Sequence, residues 1–116
     1  MNPTRAEISL NKLEYNYNQI KKHLHRTNPK KEIKICGVVK ANAYGHGIRE
    51  ISQKLISLGA DFLGVANYDE AIKLRTTIPD ANILVFGTLI HSKLKPAVYV
   101  SKLLKYNLIA TVASLE

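Results

Sequence analysis

The sequence predicts an α/β fold on a parallel sheet, amounting to roughly the first half of a (β/α)₈ TIM-type barrel. Three observations carry this expectation. Short apolar runs at 33–39, 62–66, 83–87 and 108–112 alternate with segments whose apolar residues recur at helical spacing. The runs are nearly continuous, as in parallel strands covered on both faces. The first run is followed by Tyr44-Gly45-His46-Gly47, which is not GxGxxG, and the chain has no GK[ST], so a dinucleotide or P-loop sheet is disfavoured. A whole barrel takes about 250 residues; this chain has 116.

Each element follows from local pattern. Residues 5–9 read as a short strand with Ala6 and Ile8 on one face. Asn11 can cap a helix, with Glu14 three residues on as in a capping box. Leu10, Leu13, Tyr17, Ile20 and Leu24 then give one apolar face, and Asn28-Pro29 ends it because the residue before proline avoids helical dihedrals. The first central strand is expected near 34–40. Ile48, Ile51, Leu55 and Leu58 define the next helix, with Gly59 as its C-terminal cap. After the strand at 62–66, Asn67 and Glu70 repeat the cap pattern, and Ala71, Leu74 and Ile78 face inward until Pro79-Asp80. The third strand is 83–86. Pro96 suits the first turn of a helix running through Val100, Leu103 and Leu104, and 108–112 is the last strand. Residues 114–116 start one more helix.

Composition narrows the function classes. No apolar stretch is long enough to span a bilayer, and Met1-Asn2-Pro3-Thr4-Arg5 has no signal-like apolar segment behind it, so a cytoplasmic protein is expected. The single cysteine, Cys36, lies within a strand and reads as core filling. The net charge of +8 comes from scattered lysines without zinc-finger spacing, an RNP motif or an arginine-rich arm. It fits a solvated surface and attraction of anionic ligands better than nucleic-acid binding.

The chemistry-bearing residue is Lys40. The run Ile33-Lys34-Ile35-Cys36-Gly37-Val38-Val39 delivers it to the end of a central strand, immediately before Ala41-Asn42-Ala43-Tyr44-Gly45-His46-Gly47. Ligands bind at the carboxyl edge of the sheet in α/β folds. Partial desolvation there favours the neutral, nucleophilic amine, the form that bonds carbonyl compounds, pyridoxal phosphate among them. A snorkelling strand-end lysine is the simpler reading of Lys40 alone. Gly45 and Gly47 permit the turn's backbone, and Asn42 can order it through its side chain. His46, between two glycines, reads as a hydrogen-bonding surface group. Phe86 reads as core rather than as a pocket wall, and Asp69 and Glu70 as a helix-start cap rather than a carboxylate pair.

The unbroken run Val38-Val39-Lys40-Ala41-Asn42-Ala43-Tyr44-Gly45-His46-Gly47 resembles the cofactor-lysine motif of the alanine racemases. Ala6-Glu7-Ile8-Ser9-Leu10-Asn11-Lys12-Leu13, Val65-Ala66 with Asp69-Glu70-Ala71 and Leu74-Arg75, and Ile83-Leu84-Val85-Phe86-Gly87 resemble flanking segments in order. The resemblance implies a pyridoxal-phosphate enzyme, a homodimer that interconverts L- and D-alanine for peptidoglycan. It implies that Lys40 binds the cofactor and serves as acid–base on one substrate face, and that Tyr44 hydrogen-bonds the cofactor phosphate. It also implies that residues 1–116 are the N-terminal segment of the barrel domain, that strand 5–9 pairs with a C-terminal β domain, and that the opposite-face base lies in that domain. On this reading residues 1–116 are inactive alone. The alternatives are a non-catalytic pyridoxal-phosphate-binding barrel protein and a racemase of another amino acid such as serine.

Overall fold

Four parallel strands, β1 (Cys36–Val38), β2 (Phe62–Val65), β3 (Ile83–Val85) and β4 (Ile109–Ala110), form one sheet in sequence order. Cys36 pairs with Phe62, Leu63 with Ile83, and Leu84 with Ile109. Each crossover carries a helix: α3 (Ile48–Ser57), α4 (Tyr68–Thr77) and α5 (Pro96–Lys105). A short turn α2 (Lys40–Tyr44) sits between β1 and α3. This is the expected partial barrel. The computed structural model describes residues 3–88 and 93–114 and divides into two units, Met1–Ile33 and Lys34–Glu116.

In the first unit, α1 spans Leu10–Thr27 and ends at its C-cap Asn28, as the following proline requires. Its N-cap is Ser9, whose hydroxyl accepts from the Lys12 amide at 3.2 Å, and not Asn11, which lies within the helix. The Ser9 carbonyl already receives the Leu13 amide, so the helix begins two residues earlier than the Asn11–Glu14 pattern suggests. Residues 5–9, expected as a strand, are not one here. A strand is defined by its ladder, and these residues have no partner strand among those described. Tyr17 is the buried residue of α1.

In the second unit the helix-facing side of the sheet is the core. Val39, Leu63, Val65, Ile83 and Val85 are fully or almost fully buried, together with Ala71 and Leu74 from α4 and Leu55 from α3. Gly37 lies on this side because an added Cβ would stand 2.6 Å from Leu55 Cδ1. The helix ends are closed as the glycine and asparagine positions dictate. Gly59, at φ +96°, lets its amide reach Ile56 O and lets Ala60 N reach Leu55 O. Asn107, at φ +50°, closes α5 in the same way onto Leu104 and Leu103. The rotation of α5 differs from expectation: Tyr99 is its buried residue, while Val100 and Leu104 point to solvent. The Tyr99 hydroxyl donates to Gly87 O at 3.1 Å, which fixes that face against the end of β3, and burial pushes its phenol pKa up.

The other side of the sheet is only partly covered among the described residues. Cys36 is exposed, and Val38 and Phe86 remain 39% and 38% accessible. The expected coverage on both faces, and with it the reading of Cys36 and Phe86 as core, is therefore corrected. Side chains alternate along a strand, so Cys36 and Val38 share the face that a closed barrel turns inward. Partial burial still pushes the Cys36 thiol pKa up. Gly64 belongs to this face: a Cβ there would meet the Phe86 ring at 2.5 Å and Cys36 Sγ at 3.3 Å. The missing side chain is what lets Phe86 lie across the sheet. β4 covers only Ile109–Ala110 of the expected 108–112, although Thr111 Oγ1 still donates to Val85 O at 2.7 Å. The helix expected at 114–116 lies mostly outside the described residues.

One glycine has no room to give. A Cβ on Gly87 would stand 2.7 Å from the Ala66 carbonyl oxygen, a backbone atom that itself accepts the Gly87 amide at 2.8 Å. Gly87→Ala is expected to destabilise by about 1–3 kcal/mol, the usual cost of overpacking. Gly37→Ala, whose close contact is with the flexible end of the Leu55 side chain and not with backbone, is expected to cost less. Urea unfolding of the two variants side by side checks the order.

Candidate active site

The carboxyl ends of β1 and β2 meet around Lys40. Val39 is the last residue of β1's path, its amide donating to Gly64 O at 2.9 Å, and Lys40 follows, half-buried. The backbone then does something that few L-residue segments do. Ala41, Asn42, Ala43 and Tyr44 all have φ between +51° and +55°, so α2 is a left-handed turn. A non-glycine residue in this region costs roughly 1–2 kcal/mol, so four in a row store several kcal/mol of strain.

That conformation persists because its polar groups are held on every side. Ala43 N donates to Val39 O at 2.9 Å, Gly45 N to Ala41 O at 3.1 Å, His46 N to Ala43 O at 3.1 Å and Gly47 N to Asn42 O at 3.0 Å. The Asn42 side chain accepts the Ile48 amide at 2.9 Å and so caps α3, which has no cap from Gly47. Gly45 and Gly47, at φ +87° and +96°, return the chain to α3. The His46 ring lies 2.8 Å from Ala43 O through Nδ1, which must carry the proton because a carbonyl only accepts. Asn42, Gly45 and Gly47 thus have the turn-forming roles expected of them, and His46 is the hydrogen-bonding surface group expected.

The turn sets two side chains beside each other. Lys40 Nζ lies 5.9 Å from the centroid of the Tyr44 ring, a cation–π distance. Tyr44 is 59% exposed. Among the described residues Lys40 has no ion pair or hydrogen bond and the Tyr44 hydroxyl has no hydrogen-bond partner. A lysine free of any carboxylate at a sheet's carboxyl edge is available to a carbonyl carbon, and an adjacent free phenol can donate to an anion. This donor set fits an aldehyde cofactor that also carries a phosphate. A separate cavity of about 370 Å³, bordered by Asn67, Asp69, Thr88 and Tyr99, includes neither residue.

Sequence reasoning missed the reach of Glu70. Asn67 caps α4 as expected, its side chain accepting the Glu70 amide at 3.0 Å. In a capping box the carboxylate would return to the cap residue's own amide. Here one oxygen accepts from Ala66 N at 2.7 Å and the other from Ala41 N at 3.1 Å, across the sheet. Parallel pairing is the signal that could have found it: Val38 lies opposite Gly64, so the residues just past both strands are neighbours.

The chain resembles known proteins over almost its whole length. The family described as alanine racemase, N-terminal domain matches residues 8–116. The alanine racemase of Clostridium tetani is 43% identical over all 116 residues, which cover 27% of that protein. Among solved structures, alanine racemase of Clostridium difficile 630 superposes with a TM-score of 0.78 at 39% identity, over 97% of this chain and 27% of that one. Histidine racemase from Leuconostoc mesenteroides gives 0.72 at 28% identity, over 91% and 26%. Alanine racemase from Bartonella henselae with covalently bound pyridoxal phosphate gives 0.68 at 25% identity, over 89% and 26%. The chain thus spans about a quarter of the length of the proteins it matches. With the partial parallel barrel, the lysine at its carboxyl edge and a family match over almost every residue, the chain belongs to the alanine racemase N-terminal domain family.

Proposed function

We propose that this chain supplies the cofactor-lysine segment of a pyridoxal-phosphate-dependent racemase that interconverts L- and D-alanine. The observation that carries the reading is Lys40, unpaired among the described residues, delivered by a left-handed turn beside the free hydroxyl of Tyr44. The Bartonella henselae relative with covalently bound pyridoxal phosphate supports the choice of cofactor. When bound, pyridoxal phosphate supplies an electron sink that acidifies the substrate's α-hydrogen. Lys40 would hold it, and the Lys40 amine would move a proton to or from one face of the substrate's α-carbon. Tyr44 orients the cofactor by donating to a phosphate oxygen. The face opposite Lys40 takes its acid–base group from a C-terminal β domain of the partner subunit in a homodimer, and residues 5–9 pair with such a domain. The remaining barrel strands close over Cys36, Val38 and Phe86. The enzyme works in the cytoplasm and feeds peptidoglycan synthesis.

Chiral analysis of alanine incubated with the full-length protein and pyridoxal phosphate tests the reading, with serine and histidine run alongside. Racemisation of alanine is expected, and none above a cofactor-only control with residues 1–116 alone. The histidine racemase neighbour makes preferential turnover of histidine the result that would redirect the substrate while keeping the chemistry. Tyr44→Phe is expected to weaken cofactor affinity roughly tenfold, the loss of one hydrogen bond to a charged group. A fluorescence titration with pyridoxal phosphate reads it, and an unchanged affinity would remove Tyr44 from the phosphate site.

A further inference from the structure

We propose that Glu70 is the positioning residue for Lys40: its carboxylate bridges the ends of β1 and β2 and holds the left-handed turn that presents the lysine. The geometry is specific. One oxygen takes the amide of Ala41, the residue directly after Lys40 and the first of the positive-φ run, at 3.1 Å. The other takes the amide of Ala66, the residue directly after β2, at 2.7 Å. The carboxylate's own backbone is fixed in turn, since Glu70 N donates to Asn67 Oδ1. Glu70 is half-buried, its charge-assisted bond to Ala66 is partly shielded from solvent, and its bond to Ala41 lies at the exposed edge.

The opposite end of the same strand pair shows the same device. Asp61 Oδ2 accepts the Ile35 amide at 2.7 Å, just before β1, and the Asp61 carbonyl receives Asn82 Nδ2 at 3.2 Å. β1 is thus tied to the flanks of β2 by one carboxylate below and one above. The upper one carries the larger burden. Ala41 N lies beyond the ladder, whose last bond is Val39 N to Gly64 O, and α2 offers it no acceptor. Without Glu70 the first strained residue has a free amide, and the cheapest relaxation is return of Ala41 to negative φ. That rotation swings the chain on either side of Lys40.

A helix-start carboxylate also favours α4 through the helix dipole, and the two roles separate by variant. Glu70→Asp keeps the charge in the first turn of α4 but is one methylene short of Ala41. Glu70→Gln keeps the length but offers one acceptor oxygen for two amides. Asn67→Ala removes the helix cap without touching the carboxylate.

The experiment is amide hydrogen exchange on the full-length protein without cofactor, followed by borohydride trapping of pyridoxal phosphate on Lys40. Both Glu70→Asp and Glu70→Gln are expected to speed exchange at Ala41 about tenfold or more, with Leu63 and Val65 unchanged, and to lower the trapped yield at limiting cofactor. Asn67→Ala is expected to leave Ala41 protected. Wild-type exchange at Ala41 in Glu70→Asp, or an increase shared equally by Leu63 and Val65, would overturn the proposal. It rests on the reading of Lys40 as the cofactor lysine only for what the turn presents. If wild-type protein traps nothing on Lys40, that reading fails, while the exchange comparison still decides whether Glu70 holds the turn.

Discussion

Lys40→Ala is expected to abolish racemisation, by about 10³-fold or more, while leaving the fold intact. The loss combines the covalent anchor for the cofactor with acid–base catalysis on one face, which by itself is typically worth ~10²–10⁴-fold. The structural cost is small. Among the described residues the polar interaction of Lys40 is with the Tyr44 ring at 5.9 Å, and an exposed cation–π pair contributes roughly 0.5–1 kcal/mol. Steady-state rates and thermal melts of the full-length variant should therefore diverge sharply. Activity above a tenth of wild type would remove Lys40 from the chemistry. A large fall in melting temperature would make it a structural residue.

The largest effect on stability is expected at Arg75, far from the chemistry. Its guanidinium donates to five backbone carbonyls: Tyr106 and Asn107 at the end of α5, and Ile78, Pro79 and Ala81 in the segment leading to β3, at 2.6–3.3 Å. Helix termini leave carbonyls without partners, and here one fork satisfies those of two helix ends at once. Burial draws the Arg75 pKa down and the Asp80 charge draws it back up, and an arginine still keeps its proton. Arg75→Met keeps the aliphatic stem and strands the carbonyls, which is expected to cost about 3 kcal/mol. Arg75→Lys should recover less than half, because an ammonium is a point charge and cannot fork. Urea unfolding of the full-length protein gives both numbers. A loss under about 1 kcal/mol for Arg75→Met would mean that water replaces the fork without penalty.

The sequence made the ladder legible but not the site's strain. Continuous apolar runs bounded by turn residues located β1 to β3 within a few residues, because burial on the helix side demands Val39, Leu63, Val65, Ile83 and Val85. Gly59 and Asn67 closed and opened their helices where the chemistry of caps requires. Periodicity could not show that Ala41 to Tyr44 wind left-handed, since alanine has no preference for that region and only the surrounding bonds impose it. It could not show which face of α5 turns inward either, because a tyrosine hydroxyl reaching Gly87 decided that. Residues 5–9 form no strand with the described residues for a different reason: strand patterning states which side chains would share a face, not whether a partner is there. Lys40 and Tyr44 stand out as candidates from their run of residues, and Glu70 does not, because its contact with Ala41 spans 29 positions in the chain.

The most direct test of the account is the site of cofactor attachment. Full-length protein incubated with pyridoxal phosphate, reduced with borohydride, digested and mapped should carry one pyridoxyl group, on the peptide containing Lys40. The label should vanish in Lys40→Ala and should not move to Lys34, two residues before the start of β1, whose side chain is exposed. A pyridoxyl group on any other lysine, with Lys40 unmodified, would contradict the assignment of the turn at 40–47 as the cofactor site.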